Sequence, residues 1–449
     1  MAELTFVGAA GTVTGSKHLL STGGKHVLID CGLFQGGRAL EALNGAPLPV
    51  AAADVEAIVV THGHIDHVGY LPKIVHDGFA GPIYCTPPTA AIIEIVLNDA
   101  EHLQAHLERR GMRHDPAHAV PPLYDANDVA ATLRLREPVA LETEFTVARM
   151  TLRYKNAGHI VGSAFIEAEV EGKCAVFSGD LGRYGRPLLY DPAPLGAADV
   201  IVCETTYGDR VHPPDSLGSL RDVLLAGIRR GGPIVIPAFA VERTQDILLA
   251  IGLLQTSEPA IAQTPVHVDS PMADKVDAVF AQFPDSHKPF PDGAAPFGCR
   301  NVNVAGAADD SKILDRTDGP AIVISSGGMA TGGRVLNHLH RRIPDPTATI
   351  AFVGYQVPGT LGAALSGGAR TVRIFGDVLP VRAEVRTLSG FSAHADESEL
   401  LRWVRTTGGK PHVYAVHGDP PAATAFAAAV TQQLGFEATV AARGTTVTL

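Results

Sequence analysis

The sequence predicts an α/β fold, and three observations carry that prediction. Apolar, β-branched runs such as Ala57-Ile58-Val59-Val60 and Val200-Ile201-Val202-Cys203 have the composition of buried strands; the first leads through Thr61 to His62 and the second into Glu204. Between about 209 and 372, strand patterns (234–236, 266–268, 321–324, 349–353) alternate with helical ones (216–230, 241–254, 271–282, 332–340, 359–365), the rhythm of a parallel sheet. Hydrophobic residues are 46% and charged residues 18% of 449, which is apolar material for full cores at roughly 150 residues per domain.

Composition also narrows the function classes. A formal net charge of −11 excludes bulk attraction to nucleic acid, so a polyanion would have to be held by a local cleft and by metal ions. Five widely spaced cysteines without a C-x-x-C pair fit free thiols in a reducing compartment. Neither a signal-like N-terminus nor a membrane-length apolar run is evident, so the expectation is a cytoplasmic protein without membrane contact.

Taken in order, the chain opens with short strands at 4–7, 17–20 and 26–29, the last running into Asp30. A carboxylate there reads as a turn former or a site residue. The strand at 57–60 leads into Thr61-His62-Gly63-His64-Ile65-Asp66-His67, an H-x-H-x-D-H spacing. His62 and His64 alternate out of a strand end, so both rings can point to one side. Asp66 and His67 sit at a helix start and can face a second centre. Imidazoles with carboxylates and no thiolate suit Zn²⁺ in an open catalytic site.

A long helix is expected from Pro88 to Gly111, with Ile92, Val96, Leu103 and Leu107 inward. His102 and His106 are four apart on it, but without a carboxylate partner they read as exposed. A helix near 125–134 and strands at 139–142, 145–155 and 164–170 follow. His159 lies in a Gly-flanked turn, Asp180 comes directly after the buried strand in Ala175-Val176-Phe177-Ser178-Gly179, and Glu204 ends the buried strand in Asp199-Val200-Ile201-Val202-Cys203. The Pro/Gly-rich stretch 284–298 reads as a loop. In Ser325-Ser326-Gly327-Gly328-Met329-Ala330-Thr331-Gly332-Gly333-Arg334 a strand passes through glycines into a helix, either holding a phosphate on backbone amides with Arg334 or forming a plain tight turn. Short strands at 371–374 and 381–388 precede His394, a helix with Leu400, Leu401, Trp403 and Val404 on its apolar side, and the strand 413–416 that ends in His417.

Together these residues resemble a known family. Asp30, His62-x-His64-x-Asp66-His67, His159 and Asp180 resemble the motif series of the metallo-β-lactamase fold. Glu204 in Glu-Thr-Thr-Tyr-Gly, His394 in Ser-Gly-Phe-Ser-Ala-His-Ala-Asp, and His417 resemble the three motifs of its β-CASP branch. The resemblance implies an αββα sandwich, residues 1–208 and 373–449, with a parallel-sheet β-CASP domain inserted at 209–372. The compact chain looks most like the smaller bacterial RNA-degrading members.

The resemblance further implies two Zn²⁺ per chain, one held by His62, His64 and His159, the other by Asp66, His67 and His417, with Asp180 bridging. His394 would be the general acid, Glu204 would hold its other nitrogen, and Asp30 would orient a ligand. The implied substrate is single-stranded RNA, cut by water to leave a 5′-phosphate and a 3′-hydroxyl, with endonucleolytic action expected and a homodimer compatible with it. The inserted domain would cover the metals. Arg243, Arg334, Arg370 and Arg373, with Ser326, Gly327 and Gly328, are candidate phosphate contacts, although each arginine could equally be a solvated surface residue. Histidine at position 417 favours RNA over the DNA-repair branch, where an aliphatic residue is typical. A small-molecule metallo-hydrolase would leave the inserted domain and His394 unexplained, and a non-catalytic RNA-binding subunit would not need the complete ligand set.

Overall fold

The computed structural model describes residues 1–114, 122–290, 296–306, 308–315, 318–354, 356–357 and 359–449. The chain forms two compact units, Met1–Val211 with His394–Leu449, and His212–Ala393. In chain order the strands are β1 (Glu3–Phe6), β2 (His18–Thr22), β3 (Lys25–Ile29), β4 (Val55–Val59), β5 (Ile83–Cys85), β6 (Arg136–Pro138), β7 (Glu144–Val147), β8 (Met150–Asn156), β9 (Ala164–Val170), β10 (Lys173–Phe177) and β11 (Val200–Glu204). The second unit contributes β12 (Ile234–Ala238), β13 (Val266–Asp269), β14 (Val302–Val304), β15 (Ile322–Ser326), β16 (Thr349–Phe352), β17 (Thr371–Ile374), β18 (Asp377–Pro380) and β19 (Glu384–Thr387). The chain then returns with β20 (His412–Val416), β21 (Ala438–Val440) and β22 (Thr446–Thr448).

Two sheets make the first unit, in the orders β22-β1-β2-β3-β4-β5-β6 and β21-β20-β11-β10-β9-β8-β7. Alternating residues of both point at one another: Leu4, Phe6, Val27, Ile29 and Val59 from one sheet meet Leu152, Ile166, Phe177 and Val202 from the other in a single buried cluster. On the outer face of the second sheet, Val176, Ile201 and Val413 pack against Leu400, Trp403, Val404 and Phe426, which belong to the helices Glu397–Val404 and Pro420–Ala429. Burying each such side chain contributes about 1.5–3 kcal/mol, and Trp403 also donates its indole N–H to Ala193 O at 3.0 Å. Strands β3, β4 and β5 run parallel to one another, and so do β10, β11 and β20, so each group gathers its carboxyl ends on one edge.

In the second unit, one parallel sheet has the order β14-β13-β15-β12-β16-β19, beside the antiparallel hairpin β17–β18. Its helices include Ser216–Arg230, Arg243–Gln255, Pro271–Gln282, Val335–Arg342 and Leu361–Ser366.

Several boundaries differ from expectation. The second compact unit spans His212–Ala393, and within it β19 hydrogen-bonds to β16. The span 381–388 narrows to β19, with β18 ending just before it at Pro380, and β6 lies just before the expected strand 139–142. The span 145–155 is two strands, because Ala148 and Arg149 both take positive φ (49° and 66°) and form a two-residue hairpin turn without glycine. In the helix Pro87–His114, Ile92 and Val96 are buried, but Leu103 is 48% exposed and Leu107 lies outside the described side chains. His102 is exposed, as expected, and the side chain of His106 lies outside the described residues. Part of the expected loop 284–298 (291–295) also lies outside them.

Candidate metal centre

At the carboxyl edge of the first unit's strands, ten charged or imidazole side chains converge. Asp30 follows β3, His62 and His64 follow β4, His159 follows β8, Asp180 follows β10, Glu204 ends β11 and His417 follows β20. Asp66 and His67 lie in the short helix Ile65–Val68, whose N-cap is His64. Asp30 and His417 take left-handed backbone angles (φ 58° and 48°), sharp turns out of a strand that cost on the order of 1–3 kcal/mol and concentrate at functional sites. Gly179 (φ 53°) allows the Asp180 turn to approach β4, since a Cβ there would stand 2.6 Å from Thr61 Cβ.

His62 Nε2 lies 3.1 Å from His64 Nδ1 and 3.4 Å from Asp180 Oδ2. His159 Nε2 lies 3.3 Å from the same His64 nitrogen and 3.5 Å from the same Asp180 oxygen. Ligand atoms about 2.0–2.1 Å from a tetrahedral Zn²⁺ stand roughly 3.3 Å apart, so these four side chains fit one ion. A second set shares the spacing: His67 Nε2 is 3.2 Å from His417 Nε2, and His417 Nε2 is 3.4 Å from Asp66 Oδ2. Asp180 Oδ1, buried and without a hydrogen-bond donor among the described residues, faces this set, 3.2 Å from His67 Nε2 and 3.5 Å from His417 Nδ1. The cluster is therefore capable of binding metal, and Asp180 turns one oxygen to each set.

Side chains behind the histidines set their orientation. Asp30 Oδ2 accepts from His67 Nδ1 at 2.7 Å, which orients the ring with Nε2 toward the cluster. Thr61 holds Asp30 in turn, donating its backbone N–H to Oδ1 at 2.8 Å and bringing its hydroxyl within 2.9 Å of Oδ2. Thr206 Oγ1 lies 3.2 Å from His417 Nδ1 and donates to the His417 carbonyl at 3.1 Å. Thr61 and Thr206 had no role in the sequence reading; their one signal is a threonine next to each ligand-bearing strand end.

His394 and Glu204 form a separate pair beside Asp180. His394 Nδ1 donates to Glu204, and its Nε2 lies 3.8 Å from Asp180 Oδ2. Asp396 explains why His394 is placed there. It caps the helix Glu397–Val404 reciprocally with Glu399, while Ala395 N donates to Leu181 O at 2.8 Å, so the chain is tied down immediately after the histidine.

Electrostatics separates the histidines. Burial pulls His64 down to about 3, reinforced by His62, and burial with the neighbouring His394 pushes His159 well below its usual range. Burial also opposes charge on His67, but Asp180 and Asp30 outweigh it and raise that ring. Asp180 ends well below the usual carboxylate range because His417, His67 and His394 outweigh its burial.

The residues expected at a phosphate all lie in the second unit. Gly327 (φ 115°) begins a tight turn closed by Ala330 N to Gly327 O at 2.8 Å, so the turn reading accounts for the run from Ser326 through Gly328. Arg334 is directed into the protein, donating to Asp269 Oδ1 at 2.8 Å and to the carbonyls of Ala305 and Gly306. The buried Asp269, which also accepts from Ser311 and His338, needs that cation as a charge partner. Arg243 is buried and pairs with Asp246 at 3.2 Å, and Arg373 donates to Gly376 O at 2.8 Å.

Comparison with known proteins agrees with this architecture. Residues 13–238 match the model of the metallo-beta-lactamase superfamily, 244–365 the Beta-Casp domain, and 378–441 the Zn-dependent metallo-hydrolase RNA specificity domain. Ribonuclease TTHA0252 of Thermus thermophilus is 39% identical over 92% of both chains. An RNase J-like protein of Methanocaldococcus jannaschii is 29% identical over 99% of both. Transcription termination factor FttA of Methanosarcina mazei is 30% identical over 97% of this chain and 70% of its own. A crystal structure of a protein of unknown function from Enterococcus faecalis V583 shares the fold over 100% of both chains, with a TM-score of 0.52 at 12% identity. Among the described residues no helix is long and apolar enough to cross a membrane. This chain belongs to the metallo-β-lactamase superfamily, in the branch that carries a Beta-Casp domain and a Zn-dependent metallo-hydrolase RNA specificity domain, and it is a metal-dependent hydrolase.

Proposed function

We propose that this chain is a zinc-dependent ribonuclease that cuts single-stranded RNA internally, leaving 5′-phosphate and 3′-hydroxyl ends, and that it serves RNA processing or decay. The observation that carries the reading is Asp180, whose two oxygens face two separate histidine sets with the His394–Glu204 pair alongside. A relative named ribonuclease, 39% identical over 92% of both chains, supports the same reading.

His62, His64 and His159 would hold one ion, Asp66, His67 and His417 the other, and Asp180 both. When bound, two such ions supply a nucleophile from water at neutral pH and offset the charge that builds on the phosphodiester. The protein's own residues do the rest. Asp30 keeps His67 in one tautomer, and Thr206 steadies His417. Glu204 holds His394 Nδ1, so that Nε2 can deliver a proton to the departing 3′-oxygen.

Incubation of the purified protein with single-stranded RNA labelled at either end tests this. Internal fragments with 5′-phosphates, lost with a chelator and restored by Zn²⁺, are expected. Cleavage confined to DNA, or cleavage indifferent to chelation, would overturn it.

A further inference from the structure

The connection between Asp180 and β11 is held firmly. Leu188 and Leu189 are buried, and Pro187 and Pro192 restrict the backbone on either side. Asp191 Oδ1 accepts from Gly185 N at 2.8 Å and closes the segment on itself. Asn156, at the end of β8, clamps this segment to the turn that carries His159. Its Nδ2 donates to the carbonyl of Asp191 at 2.9 Å, its carbonyl accepts from Ala193 N at 2.9 Å, and its Oδ1 accepts from Gly158 N at 3.3 Å. Gly158 (φ 67°) allows the close approach, because a Cβ there would stand 2.6 Å from the carbonyl oxygen of Tyr190.

The backbone of Tyr190 is thus fixed against the turn bearing a candidate metal ligand, yet the residue is 45% exposed while the two before it are buried. A single exposed aromatic is ordinary on a protein surface. One whose main chain is pinned to the turn carrying His159 offers an aromatic side chain from a fixed anchor next to the candidate centre. Unpaired bases stack on such faces, and every base has one, so the contact tolerates sequence while rejecting a closed duplex.

We propose that Tyr190 is a stacking platform for a nucleobase next to the bond being cut, a substrate-positioning residue that favours unpaired strands. The proposal rests on the ribonuclease reading above. Base–aromatic stacking is worth roughly 1–3 kcal/mol, about 5- to 150-fold in affinity.

The chain has one tryptophan, Trp403, which is buried, so Tyr190→Trp adds an exposed fluorophore. In the zinc-loaded full-length protein carrying His394→Ala to slow turnover, single-stranded RNA should quench that fluorescence. An oligonucleotide with abasic sites on the same phosphate backbone should quench it far less. With His394 intact, Tyr190→Ala should raise KM for single-stranded RNA about 5- to 150-fold with kcat and zinc content close to wild type, and Tyr190→Phe should restore KM. A wild-type KM in Tyr190→Ala, or equal quenching by the abasic strand, overturns the proposal. Failure of the wild-type protein to cut RNA would count against the ribonuclease reading instead, whatever the quenching shows.

Discussion

His394 Nδ1 lies 3.0 Å from Glu204 Oε1 and 3.2 Å from Oε2, so one buried carboxylate holds one imidazole nitrogen with both oxygens. That carboxylate cannot swing away, because Leu181 N donates to Oε1 at 2.8 Å and Thr206 N to Oε2 at 3.2 Å. Burial disfavours the charged ring, but Glu204 and then Asp180 outweigh it and lift His394 to about 9. The ring is therefore protonated at neutral pH, the state a general acid needs. His394→Ala should lower turnover by about 10²–10⁴-fold with zinc content unchanged, as read by steady-state cleavage and metal analysis. Unaltered turnover would remove the role.

The same pair fixes the sign of a pH effect. An acid that must carry its proton loses activity as pH rises through its pKa, here near 9. Glu204→Gln removes the leading charge that raises that value, so the alkaline limb of the kcat profile should move to lower pH. A limb that stays in place while the variant binds zinc normally would detach Glu204 from the chemistry.

Asp180 is the joint between the two ligand sets, with Oδ2 toward His62 and His159 and Oδ1 toward His67 and His417. An asparagine there would keep one acceptor and turn an NH₂ group toward imidazole nitrogens. Asp180→Asn should lose at least one of two bound zinc ions and nearly all cleavage, measured by metal stoichiometry after dialysis. Two retained ions with full activity would contradict bridging.

How much of this was legible in the sequence depends on how local the signal is. The motif from His62 to His67 spans six positions after an apolar run, so it reads directly as a ligand set. The strands β12, β15 and β16 are buried along nearly their whole length and carry the apolar runs Ile234-Val235-Ile236, Ile322-Val323-Ile324 and Ile350-Ala351-Phe352. The edge strand β19, Glu384-Val385-Arg386-Thr387, lies inside the strand expected at 381–388, but the sheet it joins is set by its pairing with β16, which no local pattern reveals. Arg334 looked free because its partner Asp269 stands 65 positions away. Asp30 alone read as a turn, and it does form one; only the fold shows that its carboxylate meets His67, 37 positions on.

Asp30 gives a test of orientation as distinct from ligation. Among the described residues its hydrogen bond to the cluster is the one to His67 Nδ1, and it is itself held by Thr61 and Ser16. Removing such a partner typically costs about 10–100-fold in metal affinity. Asp30→Asn should show that loss in competition with a chromogenic chelator, with the far-ultraviolet circular dichroism spectrum preserved. Unchanged affinity would mean that His67 is oriented by its neighbours without Asp30.

Asp277, on the helix Pro271–Gln282 of the second unit, has the opposite problem to the paired carboxylates. Its Oδ1 accepts from Gln245 Nε2 at 2.7 Å, but burial dominates and pushes its pKa up to about 7, with Asp274 adding to the rise. In the unfolded chain the same carboxyl ionises near its usual value of about 3.9. Between these values the folded state holds the extra proton, so stability falls as pH rises from about 4 to about 7 and stays reduced above that. Asp277→Asn keeps an acceptor for Gln245 and removes the ionisation. Its melting temperature should exceed wild type at pH 8 by on the order of a few degrees and the difference should shrink toward pH 4. A constant difference across that range would show that Asp277 ionises in the fold as it does in the open chain.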